Sequence, residues 1–306
     1  MTNKGTPRRG RGLAAHGLVG LSVIIIAEAL LFAGNRTVGQ WFTPLVWTGY
    51  VLFIDALVYK VKGRSLLVTD RLELLVIAVV SICGWWLFEF YNTPRFWRSD
   101  LELWWHYHNL EPNPYLRRVG YDWAFATIFP AMFETAELFA ATLFRGMRQR
   151  RPLKLSRPVL YLIIALGAMG ALLPFVVVSQ WLVPLVWLSL VFLLDPVNAL
   201  RGWPSITGDL SRANWRRLAA LLASGAVCGL LWEFWNYWAL TKWTYTVPYL
   251  GNIKLFEMPV LGYFGFPPFA VECWAIYIFC RSLLNGGPPR PAASEADMWI
   301  ASSDQA

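Results

Sequence analysis

Eight apolar stretches, at 13–33, 41–59, 72–91, 121–144, 159–178, 181–200, 218–238 and 259–283, constrain this chain more than any other feature. A helix that crosses a bilayer needs about 17 to 25 mainly apolar residues, because it must satisfy its own backbone polar groups in hydrocarbon. The expected fold is an all-α polytopic membrane helix bundle of about eight transmembrane helices. Composition agrees: 15% of the residues are charged and the mean hydropathy is +0.43, where a soluble domain carries about 25% charged residues. The first stretch follows Arg8, Arg9 and Arg11, yet it is too long and lacks the small-residue cleavage site of a signal peptide, so it reads as a membrane helix.

The net charge of +8 does not point to nucleic acid, because the basic residues sit in short clusters between apolar runs. They read as topology signals. With the N-terminus inside, cytoplasmic segments hold Lys60, Lys62, Arg64 and Arg71, then Arg145 through Arg157, then Arg201, Arg212, Arg216 and Arg217. The outer loops are poorer in Lys and Arg, although Arg95, Arg98, Arg117 and Arg118 soften the pattern. A cell inner-membrane protein with both termini cytoplasmic is expected, with a tail at 1–12 and a disordered Gly-, Pro- and Ser-rich tail at 285–306. Cys83, Cys228, Cys273 and Cys280 fall inside apolar stretches without a CxxC pair and read as buried thiols.

Between the tails the chain is duplicated. WFTPLVWTGYVLFIDAL from Trp41 returns from Trp181 as WLVPLVWLSLVFLLDPV, matching Trp41, Pro44, Trp47 and Asp55 to Trp181, Pro184, Trp187 and Asp195. Further on, Glu89 and Asn92 return as Glu233 and Asn236, Trp105 and Tyr107 as Trp243 and Tyr245, and Pro130 and Glu134 as Pro268 and Glu272. Each copy, 13–150 and 151–284, holds an even number of spans. The two four-helix repeats are therefore parallel, related by a pseudo-twofold axis along the membrane normal.

Acids inside spans stand out because an ionised carboxylate there costs at least about 2.5 kcal/mol. Glu134 and Glu272 each lie about mid-span and are expected to face the bundle interior. Glu137 shares a helix face with Glu134, so the two can share a proton; Ala275 replaces it in the second copy. Glu89 and Glu233 lie near the outer span ends, each on a face with its Asn and among rings that include Trp86, Trp232 and Trp235. Such rings form either an interfacial belt or the wall of a cavity that stabilises a cation. Pro130, Pro267 and Pro268 are expected to kink their spans, and Asp55 and Asp195 to orient the loops that follow. His106 and His108 would suggest a metal, but Thr244 and Thr246 replace them in the second copy, and neither a metal nor another cofactor is expected.

The order acid–Asn, WxY, then Gly and Pro followed by glutamate resembles the membrane-integral lycopene cyclases, the heterodimeric bacterial type and its fused archaeal and fungal relatives. Its carriers are Glu233, Asn236, Trp243, Tyr245, Gly265, Pro268 and Glu272, and in the first copy Glu89, Asn92, Trp105, Tyr107, Pro130 and Glu134. It covers about half of each copy. The family has Asp where this chain has Glu before the Asn, and adjacent glutamates after the proline where this chain has one, or two spaced by three. The resemblance implies non-redox cyclisation or isomerisation of a carotenoid or other lipophilic isoprenoid within the bilayer. Glu134 with Glu137, or Glu272, would be the acid; Glu89 and Glu233 the bases or electrostatic stabilisers; Asn92 and Asn236 would hold those carboxylates. The residue chemistry alone also fits a proton or small-amphiphile transporter and a non-catalytic scaffold, and the oligomeric state is left open.

Overall fold

The computed structural model describes residues 12–93, 102–147, 151–284 and 298–299. The expected N-terminal tail and most of the expected C-terminal tail, with Arg95, Arg98, Arg148 and Arg150, lie outside the described residues. The first copy runs α1 (Ala15–Phe32), a short α2 (Arg36–Gln40), α3 (Phe42–Lys62), α4 (Arg71–Asn92), β1 (Trp105–His108) and α5 (Pro114–Ala141). The second runs α6 (Arg157–Val176), a 3-10 turn at Gln180–Leu182, α7 (Val183–Val186), α8 (Ser189–Leu200), α9 (Ile206–Ser211), α10 (Arg216–Trp238), β2 (Lys242–Tyr245), β3 (Lys254–Leu255), β4 (Met258–Pro259), a 3-10 turn at Val260–Gly265 and α11 (Phe266–Leu284). Among the described residues, eight helical segments are long and apolar enough to cross a membrane, and the chain is a multi-pass membrane protein of all-α class. Leu18, Ile25 and Ile26 of α1 remain exposed, as lipid-facing side chains do where hydrocarbon is the solvent.

The packing repeats with the sequence. Helix α1 lies on α3 as α6 lies on α8, α4 on α5 as α10 on α11, and α3 on α5 as α8 on α11; α5 against α10 and α4 against α11 join the copies. Small residues set the closest approaches. A Cβ on Gly20 would stand 2.4 Å from the Gly49 carbonyl oxygen in α3, and one on Gly167 would stand 2.4 Å from the Leu193 nitrogen in α8. At the end of the bundle away from the basic clusters, β1 and β2 pair antiparallel, with Trp105 opposite Tyr245 and Tyr107 opposite Trp243. Exchanging the copies maps this pairing onto itself, so the local twofold passes beside the His106 and Thr244 pair.

Five expectations change. Of the four thiols expected to be buried, Cys228 and Cys273 are, but Cys83 lies on the exposed face of α4 and Cys280 is half-buried. Helix α5 begins at Pro114 rather than near 121, because Asn113 accepts from the Tyr115 and Leu116 nitrogens and Pro114 supplies a first-turn φ. The stretch at 181–200 is not one helix; it is interrupted at Trp187 and Leu188, whereas α3 in the first copy is continuous. Pro267 and Pro268 do not kink a span, for they occupy the first turn of α11, where the missing N–H has no helical partner in any case. The C-terminal tail is ordered at Met298 and Trp299, both buried: the Met298 nitrogen donates to Glu137 and its oxygen accepts from Trp274 Nε1 at 2.9 Å.

These contacts predict the response to added bulk. Gly20→Leu should destabilise the fold by about 1–3 kcal/mol, as overpacking against backbone does. Gly146→Ala, with nothing within 4 Å, should stay within about 0.5 kcal/mol. Thermal unfolding in detergent, followed by circular dichroism, measures both.

Candidate functional site

The acid–Asn and WxY motifs build one unit in each copy. Asn92, in the last turn of α4, accepts from the Trp104 and Trp105 nitrogens at 2.9 and 3.2 Å and donates to the Trp105 oxygen at 2.8 Å. Asn236 does the same for Trp243, at 2.9 and 2.8 Å. The asparagines therefore hold strand backbone, not the carboxylates expected from the sequence, and the strands carry the rings to the acids. Glu89 accepts from Tyr107 Oη at 2.5 Å, Trp85 Nε1 at 2.9 Å and Trp105 Nε1 at 3.2 Å. Glu233 accepts from Tyr245 Oη at 2.7 Å, while Trp243 Nε1 donates to that hydroxyl at 2.6 Å instead of to the acid. The second Glu233 oxygen is buried with no partner in the protein.

Both units face a cavity of about 450 Å³. Trp85, Trp105, Tyr107, Trp232, Trp243 and Tyr245 form its wall, and its lining extends to Leu116 and Gly120 in the first copy and to Leu261 and Phe264 in the second. Leu116, Leu261 and Phe264 are also exposed, so apolar lining residues from both copies reach the molecular surface. Glu89 and Glu233 stand behind the rings and reach the cavity only through the Tyr107 and Tyr245 hydroxyls. Burial, then the adjacent Glu89 carboxylate, pushes the Tyr107 phenol well above its usual range; burial and Glu233 do the same to Tyr245. Both hydroxyls therefore keep their protons at ordinary pH and donate.

The other expected residues are elsewhere. Glu134 is fully buried in the half of the bundle bearing the basic clusters, where one oxygen accepts from the Leu66 nitrogen at 3.0 Å and the other has no partner. Glu137 does not share a proton with Glu134: Lys62 donates to one oxygen and the Met298 nitrogen to the other, 2.9 Å away. Glu272 accepts from the Leu190 nitrogen at 3.0 Å, capping the start of α8 exposed by the interruption, and its second oxygen is bare. None of the three lines the cavity. Trp86 turns away to Asp122 at 2.7 Å beneath Arg118, and Trp235 donates to Glu28 at 2.9 Å while packing on Trp47. Asp55 and Asp195 orient the following loops as expected, accepting from the Leu67 nitrogen at 2.7 Å and the Ile206 nitrogen at 2.6 Å.

Two wall residues carried a signal that pointed less far. In the aromatic run around Glu89 the sequence singled out Trp86, whereas its neighbour Trp85 forms the wall, and Trp187 was visible as the repeat of Trp47. Glu28 had no counterpart to draw attention to it. On the outer face of the strands, His106 Nε2 and His108 Nε2 meet Thr246 and Thr244 at 2.9 and 2.8 Å, and among the described residues no cluster of three His, Cys, Asp or Glu could hold a metal. No protein family, curated protein or solved structure matches the chain, so any function must be argued from this geometry.

Removing an asparagine clamp leaves the buried Trp243 backbone unpaired, at about 1–3 kcal/mol per lost partner. Asn236→Ala should therefore lower the unfolding midpoint and change tryptophan fluorescence, while Asn236→Asp should retain the contact to the Trp243 nitrogen and lose less. Burial and the neighbouring His108 hold His106 below its ordinary value, so the unfolded chain takes up this proton more readily. The stability His106 contributes is complete above its unfolded value of about 6.5 and is lost as the pH falls from there through its lower folded value. His106→Gln should flatten that acid limb in a pH series of unfolding midpoints. Glu102, raised by burial, has the opposite sign and acts nearer the carboxylate range.

Proposed function

We propose that this chain is a lycopene-cyclase-like integral membrane isomerase that carries out acid-initiated, non-redox cyclisation or isomerisation of a carotenoid or other isoprenoid in the aromatic cavity. The observation that carries this reading is the pair of tyrosine hydroxyls, each bonded to a glutamate and each opening on the cavity from its own copy. The roles follow from partners. Three donors bond Glu89, whereas Glu233 has one donor and a bare oxygen, so of the two carboxyls Glu89 better supports negative charge and Glu233 better holds a proton.

With substrate bound, the neutral Glu233 hydroxyl turns to donate to Tyr245 Oη and the Tyr245 proton turns from Glu233 into the cavity; Glu233 then gives its proton to Tyr245 as Tyr245 gives its own to a terminal alkene carbon. The resulting carbocation is stabilised by the faces of Trp105, Trp243, Trp85 and Trp232. A neighbouring double bond attacks it and forms the ring carbon–carbon bond. Tyr107 then takes a proton from the adjacent carbon as its own passes to Glu89, which restores a double bond. The product has the mass of the substrate. Proton exchange with solvent returns Glu89 and Glu233 to their starting states. The assignment moves the acid from Glu134, Glu137 or Glu272 to Glu233. The basic clusters favour an orientation with both termini in the cytoplasm and the paired strands outside.

Expression in a host that accumulates linear isoprenoids is the test. An isomer of unchanged mass and altered retention should appear, and Glu233→Gln, Glu89→Gln and Tyr245→Phe should each reduce it by about a hundredfold or more. One observation favours a second reading, small-amphiphile or proton-coupled transport: the span interrupted at Trp187 and Leu188 is capped by buried Glu272, an arrangement that transporters use near the midplane. Flux into sealed vesicles that Glu272→Gln abolishes, with no altered isoprenoid in the extract, would replace the enzyme reading.

A further inference from the structure

The first copy holds a second polar site that the proposed chemistry does not use. Helix α3 brings Asp55, α5 brings Glu134 and α1 brings His16 together in the half of the bundle that bears the basic clusters. Asp55 accepts from Ser65 Oγ at 2.8 Å and the Leu67 nitrogen at 2.7 Å, so the loop after α3 folds over it. Glu134 accepts from the Leu66 nitrogen of the same loop at 3.0 Å, so consecutive residues of one loop hold the two carboxyls side by side. The other Glu134 oxygen is fully buried and meets no donor in the protein. His16 Nε2 stands 2.9 Å from Asp55 Oδ1, with the ring turned off the line of a good hydrogen bond, and its side chain is 21% exposed. The other charged groups facing the cluster are Lys62, which is paired with Glu137, and Asp70, whose carboxyl accepts from Thr69 Oγ1 at 2.7 Å.

The second copy shows what a purely structural version looks like. Asp195, the counterpart of Asp55, accepts from the Ile206 and Thr207 nitrogens and the Thr207 hydroxyl at 2.6, 2.9 and 2.6 Å. Glu272 turns instead to Leu190. Gly20 packs on the Phe53 nitrogen as Gly167 packs on the Leu193 nitrogen, which makes Ile163 the counterpart of His16. Loop orientation alone thus needs neither a second carboxyl nor a histidine.

We propose that Asp55 and Glu134 form a proton-binding site, separate from the aromatic cavity, that exchanges its proton with water at the basic face through His16. Two neighbouring carboxyls in a dry site cannot both ionise at low cost, so the pair holds a proton. His16 links that proton to solvent because its ring has one nitrogen that accepts and one that donates. The site also has a mechanical route to the cavity. Thr135, next to Glu134, bonds the Tyr50 hydroxyl at 2.8 Å, and Tyr50 packs on Trp47 of the cavity wall at 5.4 Å between centroids. The inference does not depend on the cyclase reading and would stand under transport as well.

The test is infrared difference spectroscopy of the full chain in lipid nanodiscs, in water and in heavy water. Wild-type-minus-variant spectra should each show a carboxylic-acid C=O component that shifts in heavy water and is lost in both Glu134→Gln and Asp55→Asn, while the band of the neutral Glu233 is common to all and cancels. His16→Ala should keep that component but slow its hydrogen–deuterium exchange at least about tenfold, since a positioned relay speeds proton transfer by about a hundredfold or more. A difference spectrum without that component for either folded Glu134→Gln or folded Asp55→Asn overturns the proposal. If those variants fail to fold, His16→Ala decides it, because exchange at the wild-type rate overturns it equally. Isoprenoid turnover that persists in any of these variants leaves the cyclase reading intact, so the two proposals fail separately.

Discussion

A carboxyl inside a membrane bundle has to be met by donors, and in this protein an asparagine one turn further along the helix supplies them indirectly. Asn92 and Asn236 use the amide's paired donor and acceptor to fix a strand by its backbone at one residue, and the strand's alternation then places a tryptophan and a tyrosine over the glutamate. The pairing of β1 with β2 locks the two units face to face. Without the clamp the rings would have no fixed place and the cavity no wall. Each buried polar group in the unit is satisfied only when its neighbours are, so a network of this kind behaves as one piece.

Duplication supplied the scaffold, and divergence made the halves unequal. Trp105 donates to Glu89 directly, while its counterpart Trp243 donates to Tyr245, and Gly229 stands four residues before Glu233 where Trp85 precedes Glu89; these two changes leave Glu233 with one donor where Glu89 has three. The span after α6 is interrupted where α3 is not, and Glu272 caps the interruption while Glu134 turns to the loop after α3. Glu137, absent from the second copy, pairs with Lys62 and ties down Met298. An acid and a base for one reaction require inequality of this sort, since two identical environments would hold two carboxyls in the same state.

Most of the fold could be read from the chain, because spanning length, helical content and repeat order are properties of local sequence. The eight spans and the recurrence of Trp47, Glu89 and Tyr107 as Trp187, Glu233 and Tyr245 were all visible there. The partners of the carboxyls were not. Side-chain depth placed Glu134 and Glu272 near the midplane, but which way each turns depends on where the neighbouring loop or helix break leaves an unused N–H, and that is set by tertiary packing. The asparagines were correctly placed on the glutamate face, yet an amide beside a carboxylate looks the same in sequence whether it holds the acid or the strand. The WxY pattern gave no strand signal, being four residues long in a helical chain, and Met298 and Trp299 were masked by the polar composition around them.

The central claim is that two tyrosine-linked glutamates act on a lipophile held between the copies. A cryo-electron microscopy map of the chain in lipid nanodiscs, prepared from membranes rich in linear isoprenoid, tests it most directly. Continuous density for an apolar chain should lie between the Trp105 and Trp243 rings, with a carbon within contact of the Tyr107 or Tyr245 hydroxyl. A cavity filled by ordered water, or a lipophile bound only on the outer surfaces of α1 and α6, would contradict the account.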